Sequence, residues 1–154
     1  VRLAGVRYDG SSQSVEEALI DGSMLLGREE GSPDYGFMSY ASYGALDKAL
    51  GSKVQYVDMK GPAELGFRGI RINGADSEIK VVPDRNCPAL KSYLLTMDSW
   101  KLNSLNEAPH ISKYNDGLEM LRMASADASE LRVCYYANVA TNAPGWNAAL
   151  ALGA

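Results

Sequence analysis

Ser14 and Glu17 stand three residues apart at the head of "SVEEALIDGSMLLGREE", and this S-x-x-E pair constrains the chain more than any other feature. In a capping box the serine side chain accepts from the backbone of the third helical residue while the glutamate reaches back to the serine amide, so two orphan donors are satisfied reciprocally. Val15, Ala18, Leu19, Gly22, Leu25 and Leu26 then recur at three- and four-residue steps, which predicts a helix over about 15–30 with one apolar face. Glu16 and Glu17 lie in its first turn, where the helix dipole favours acids, and "GSPD" ends it. A helix with a single apolar face needs a second layer to cover it.

The rest of the chain supplies strands for that layer. "YGFMS" reads as a buried strand, and Ser39 caps a second helix, "YASYGALDKALG", whose Tyr43, Leu46 and Leu50 share a face and whose Gly51 closes it. "KVQYVDM" reads as a strand. In "FRGIRINGADSEIKVV" apolar residues alternate with charged ones on both sides of Asn73-Gly74, which predicts a hairpin with positive-φ turn chemistry at that pair. Pro83 ends its second strand, and Pro88 disfavours helix at Cys87. "SYLLTM" is a strand, Asp98-Ser99 a turn, "WKLNSL" a strand or one helical turn, and "EAPHISKYNDG" an exposed connection. "LEMLRM" is a strand followed by a "SADAS" turn, one long strand through Leu131 to Ala140, a "TNAPG" turn and a short last strand. The expectation is an α+β fold, with about two helices and seven or eight mostly antiparallel strands in one domain-sized unit, 1–154.

Charge and cysteine usage remove whole classes of function. The net charge of -4, with no Lys/Arg run, argues against binding nucleic acid by neutralising phosphates. Cys87 and Cys134 have neither CxxC nor zinc-site spacing, so two free thiols are expected, with no metal and no cofactor. No apolar run approaches the length that spans a bilayer, and no signal peptide or glycosylation sequon occurs. G-x-S-x-G, H-E-x-x-H and both phosphate-binding glycine motifs are missing. What remains for catalysis is one thiol pair, Cys87 with the single histidine, His110, assisted by Asp84; a small thiol enzyme is therefore the alternative from another class.

Nine tyrosines against two phenylalanines suit surfaces that are apolar yet tolerate a wet edge, as subunit interfaces do. On one long strand Tyr135 and Tyr136 must face opposite sides, one toward the core and the other available to a partner.

The order of elements then carries a resemblance. "SVEEALIDGSMLLGREEGSPDYGFMSYASYGALDKALG", "RGIRINGADSEIKVVPDRNCP" and "ELRVCYYANVATNAPGWNAALAL" together resemble the C-terminal half of tailed-phage major capsid proteins with the Hong Kong 97-type fold. In that family a helix leads through an apolar strand into a capped helix, a hairpin delivers a strand to a proline-bearing loop, and a late strand closes through a proline turn.

The resemblance implies a coat protein that acts by self-association and has no active site. Residues about 14–112 would be axial-domain-like and about 113–154 the return strands of the peripheral domain. The family's N-terminal arm, extended loop and spine helix are not in the chain, which leads to the expectation of a part of a longer subunit. Implied partners are other copies in pentamers and hexamers, together with scaffolding, portal or decoration proteins. The shell would enclose DNA without sequence-specific binding, be assembled in the host cytoplasm, reside in the virion and involve no membrane. A non-viral encapsulin-type shell protein is the related alternative. Arg68, Arg71, Asp84, Arg85, Lys91 and Tyr114 are the interface residues expected from exposed loops and strand ends.

Overall fold

The computed structural model describes residues 4–51, 56–58, 68–105, 109–114 and 116–153; within these, the side chains of 56–58 and of Arg68 are not described. The chain divides into two compact units, one formed by Val1–Ser99 with Thr141–Ala154 and the other by Trp100–Ala140. The whole is α+β, with two α-helices among the described residues and a majority of strands.

The first unit holds the helices and a mixed seven-stranded sheet. Along the chain its elements are β1 (Val6–Gly10), α1 (Val15–Gly27), β2 (Tyr35–Met38), α2 (Tyr40–Leu50), β3 (Tyr56–Asp58), β4 (Arg68–Asn73), β5 (Glu78–Pro83) and β6 (Lys91–Leu95). Beyond the second unit, which carries six further strands, the chain returns as β13 (Ala148–Leu152). The strand order is β1-β13-β6-β2-β5-β4-β3. β1 runs parallel to β13, and β2 parallel to β5; the remaining neighbours are antiparallel.

α1 and α2 pack on each other and on β1, β13 and β5. The core between helices and sheet is built from register pairs on one sheet face, such as Ala148 opposite Leu94, Ile70 opposite Val81 and Ile72 opposite Ile79. Leu19, Leu26 and Leu46 reach it from the helices. The alternating burial of β13, with Ala148, Leu150 and Leu152 inward, is the period-two signature of a sheet with one covered face.

The capping box forms as the sequence predicts: Ser14 Oγ accepts from the Glu17 amide at 3.3 Å, and Glu17 accepts from the Ser14 amide at 3.1 Å. Ser39 caps α2 by a single bond, its Oγ accepting from the Ser42 amide at 3.4 Å, and Gly51 ends the helix at φ 50°. α1 stops at Gly27, however, short of the Glu30 that its periodicity suggests. A Schellman-type closure intervenes, in which the Gly31 amide donates to Leu26 O at 2.9 Å and the Glu30 amide to Gly27 O at 3.1 Å. Glu30 takes the left-handed position at φ 62°. The glycine lies one residue later because a Cβ at Gly31 would come within 2.9 Å of Trp146 Cα.

Three further expectations are corrected. The β4–β5 turn does not use positive φ at Asn73-Gly74; Gly74 is small because an added Cβ would meet Ile79 and Ser77 O at 2.9 Å. The strand count exceeds seven or eight, since thirteen are present among the described residues. β1 gave no readable signal, and the long strand from Leu131 to Ala140 is broken into pieces. The strand expected over "KVQYVDM" is seen only as β3, its other residues lying outside the described ones.

Candidate interaction surface

The second unit is a ribbon built by one excursion of the chain, out and back. Its outgoing side carries β7 (Trp100–Ser104), β8 (His110–Ile111) and β9 (Met120–Arg122); its return carries β10 (Ser129–Leu131), β11 (Val133–Cys134) and β12 (Ala137–Thr141). They pair as nested couples, β9 with β10, β8 with β11 and β7 with β12, each a two-stranded sheet. "WKLNSL" is thus strand, and the expected exposed connection contains β8.

The return strand breaks because the two sides differ in length. Met120 faces Leu131 and Ile111 faces Val133, so the stretch between Ile111 and Met120 is opposed by Arg132 alone. The extra residues fold out as a turn closed by Tyr114 N–H to Leu118 O and Gly117 N–H to Tyr114 O, both 2.9 Å. Such an insertion disrupts the ladder and ends the strand on the partner side. That accounts for the break between β10 and β11; Tyr135 and Tyr136 lie at a second break, between β11 and β12, and both are exposed, Tyr136 at 64%. The expectation that one of them is core does not hold.

No described residue between Lys101 and Ala140 is buried. All fifteen core residues among the described ones belong to the sheet unit. Conversely, of the seventeen large apolar side chains that are exposed among the described residues, twelve lie in the ribbon. Its cross-strand pairs Met120–Leu131 and Ile111–Val133 are apolar on both sides and exposed throughout.

Its charges, by contrast, are largely matched internally. Arg132 Nε donates to Glu130 at 2.6 Å, which holds the guanidinium pKa up, and its head lies 5.3 Å from the centre of the Tyr114 ring. Arg122 meets Asp127 at 3.5 Å and Lys113 meets Glu119 at 3.8 Å. Tyr114, one of the expected interface residues, is thereby pinned within the ribbon by Arg132.

The other expected interface residues lie in the sheet unit. Arg71 pairs across the β4–β5 hairpin with Glu78 at 3.2 Å. Asp84 and Arg85 open, and Lys91 closes, the proline-bearing connection from β5 to β6, while the side chain of Arg68 lies outside the described residues. That connection is a tightly held corner. Asp84 Oδ1 accepts from the Asn86 amide at 2.8 Å, and Leu90, at φ 55°, accepts the Leu152 amide at 2.9 Å.

Cys87 is half-buried at this corner, with its Sγ donating to Lys91 O at 3.4 Å. Burial pushes the thiol pKa up, and the Asp84 charge adds to it. A nucleophilic thiol needs the opposite shift. His110 belongs to the ribbon, where its register partner is Cys134. Among the described residues no three His, Cys, Asp or Glu side chains gather as a metal site, and no helix is long and apolar enough to cross a membrane.

Neither a protein-family model nor a curated protein matches this chain.

Proposed function

We propose that the chain is a structural subunit of a protein shell, of the major-capsid type that its element order resembles. The observation that carries this reading is a ribbon with no buried residue from Lys101 to Ala140 among the described ones, in a chain whose described core residues all lie in the sheet unit. A folded part that holds most of the exposed large apolar side chains among the described residues is suited to being covered by a neighbour. Association through rings of copies adds many modest contacts, and no one of them need be tight. The net charge of -4 suits a wall that surrounds packed DNA without holding it. The upward shift of the Cys87 thiol supports a structural role for the proline corner over catalysis.

The test is negative-stain microscopy with mass photometry on the full-length protein across a concentration series. Closed shells, or five- and six-membered rings, are the expected result, and their DNA content separates a phage head from an encapsulin-type shell. A protein that stays monomeric throughout overturns the proposal.

A further inference from the structure

We propose that Asn73 is a modification site, at which water converts the side-chain amide to a carboxylate through a cyclic imide, and that the anchoring of the β4–β5 turn sets the rate. This property of the sheet unit holds whether or not the chain builds a shell.

Asn73-Gly74 is the single Asn-Gly pair in the sequence. The reaction needs a backbone nitrogen that can reach the preceding side chain, and a following residue without a Cβ hinders that approach least. The Gly74 nitrogen gives its proton to solvent base and attacks Asn73 Cγ. The new N–C bond closes a ring, and the Cγ–Nδ2 bond breaks to release ammonia, which takes its proton from solvent. Water then adds to either ring carbonyl and breaks its bond to nitrogen. Opening at Cγ gives aspartate, and opening at the backbone carbonyl gives isoaspartate. One water enters and one ammonia leaves, with no oxidation or reduction.

The fold presents this pair and also restrains it. Asn73 ends β4 and is exposed, so water and base have access. Packing requires the glycine after it, since a Cβ at Gly74 would lie 2.9 Å from both Ile79 Cδ1 and Ser77 O. In the folded turn the attacking nitrogen is occupied, because the Gly74 amide donates to Ser77 O at 2.8 Å. The turn is held at two further points. Ser23, buried on α1, accepts from the Ala75 amide at 3.2 Å and donates to Ile20 O at 2.7 Å, while Ser77 Oγ donates to Pro33 O at 2.6 Å. Ring closure therefore needs the turn to open first, and the two serines hold it shut.

Conversion also acts on the hairpin that carries it. Asn73 is the register partner of Glu78, whose carboxylate pairs with Arg71. An aspartate at position 73 sets a second negative charge opposite Glu78, and like charges directly across a ladder destabilise it. Isoaspartate adds a methylene to the backbone beside Ile72 and Ile79, and so disturbs the alternation that keeps both in the core.

Trypsin cuts after Arg71 and Lys80, so the peptide Ile72–Lys80 isolates the site for the test. The full chain is kept in warm, mildly alkaline buffer, folded or in urea, and this peptide is followed by mass spectrometry, with isoaspartate methyltransferase labelling to tell the two products apart. Conversion should be fastest in urea and slowest in the folded wild type. Ser23→Ala and Ser77→Ala, checked for fold by circular dichroism, should convert roughly two- to tenfold faster than the folded wild type, as loss of one hydrogen bond from the closed turn allows. Ser39→Ala removes the cap of α2, at the other end of β2 from this turn, and should leave the rate unchanged. Asn73→Asp should melt below the wild type. A folded wild type that converts as fast as the chain in urea overturns the restraint, as do serine variants at the wild-type rate or equal acceleration by Ser39→Ala. A peptide left intact in urea overturns the site itself, and an Asn73→Asp chain as stable as the wild type overturns its effect on the hairpin.

Discussion

Asn147 donates from its side-chain amide to the hydroxyl of Ser99 at 3.1 Å, joining residues 48 apart in sequence within the sheet unit. Both are buried, and they stand where the chain leaves for the ribbon and where it has come back. The Asn147 carboxamide also donates to Ala143 O at 3.0 Å and accepts from the Thr96 amide at 3.0 Å. The Ser99 hydroxyl donates to Thr96 O at 2.7 Å, and the Ser99 carbonyl accepts the Asn142 amide at 3.1 Å. One asparagine side chain thus holds two backbone groups and one buried hydroxyl.

Replacing Asn147 with alanine should destabilise the fold by about 1–3 kcal/mol, because the Thr96 amide and the Ser99 hydroxyl lose a buried partner. Urea denaturation followed by tryptophan fluorescence would read it as a lower midpoint with an unchanged slope. A midpoint equal to the wild type would remove the asparagine from the set of structural residues.

Ser92 should behave in the opposite sense. It sits on the buried face of β6, opposite Leu150 on one side and Met38 on the other, and its hydroxyl has no hydrogen-bond partner. An unsatisfied buried hydroxyl carries its desolvation cost with no return, so Ser92→Ala should raise stability by about 1 kcal/mol. A calorimetric melting temperature above that of the wild type is the expected outcome.

Glu30 and Gly31 divide two demands that one glycine often meets. Glu30→Gly should stabilise by about 1 kcal/mol, since it relieves a left-handed L-residue that makes the helix closure. Gly31→Ala should destabilise by about 1–3 kcal/mol, because the new methyl meets the backbone of Trp146. Opposite signs at adjacent positions are what a pair of thermal melts must return.

Cys87 should alkylate more slowly in the folded chain than in the unfolded one, because burial and then Asp84 hold its thiol protonated above the ordinary range of about 8–9. The sign for stability follows from linkage. A raised folded pKa means that the folded state keeps its proton after the unfolded state has released it, so stability is present below the ordinary thiol pKa and falls as pH rises beyond it. The advantage of wild type over Cys87→Ala in unfolding free energy should therefore shrink between about pH 7 and about pH 10. Mass spectrometry of iodoacetamide adducts and denaturation at both pH values check the two halves.

Local rules reached far into the sheet unit. The caps at Ser14 and Ser39, the periodicity of Leu19, Leu26 and Leu46, and the alternation around Ile72 and Ile79 describe interactions within a few residues, and each is present in the structure. β1 is not legible in the sequence because "VRYDG" is too short and too mixed to show a period, and only its pairing with β13 makes it a strand. The ribbon was legible as strands and a turn at "SADAS", but its lack of a core was not. Neighbouring apolar residues such as Met120-Leu121 and Tyr135-Tyr136 read locally as buried strand, and nothing in a linear pattern says that no second layer covers them.

The amino-acid sequence by itself determined the two capped helices, the β4–β5 hairpin and the proline corner around Cys87, since their causes are backbone sterics and hydrogen bonds between near neighbours. Only the tertiary structure decided the rest. The mixed order of the sheet, the return of β13 between β1 and β6, the division of labour between Glu30 and Gly31, and the approach of Cys87 to the Phe37 carbonyl depend on residues brought together from far along the chain. The uncovered ribbon belongs there too, because burial measures what surrounds a side chain, and no side chain encodes its surroundings alone.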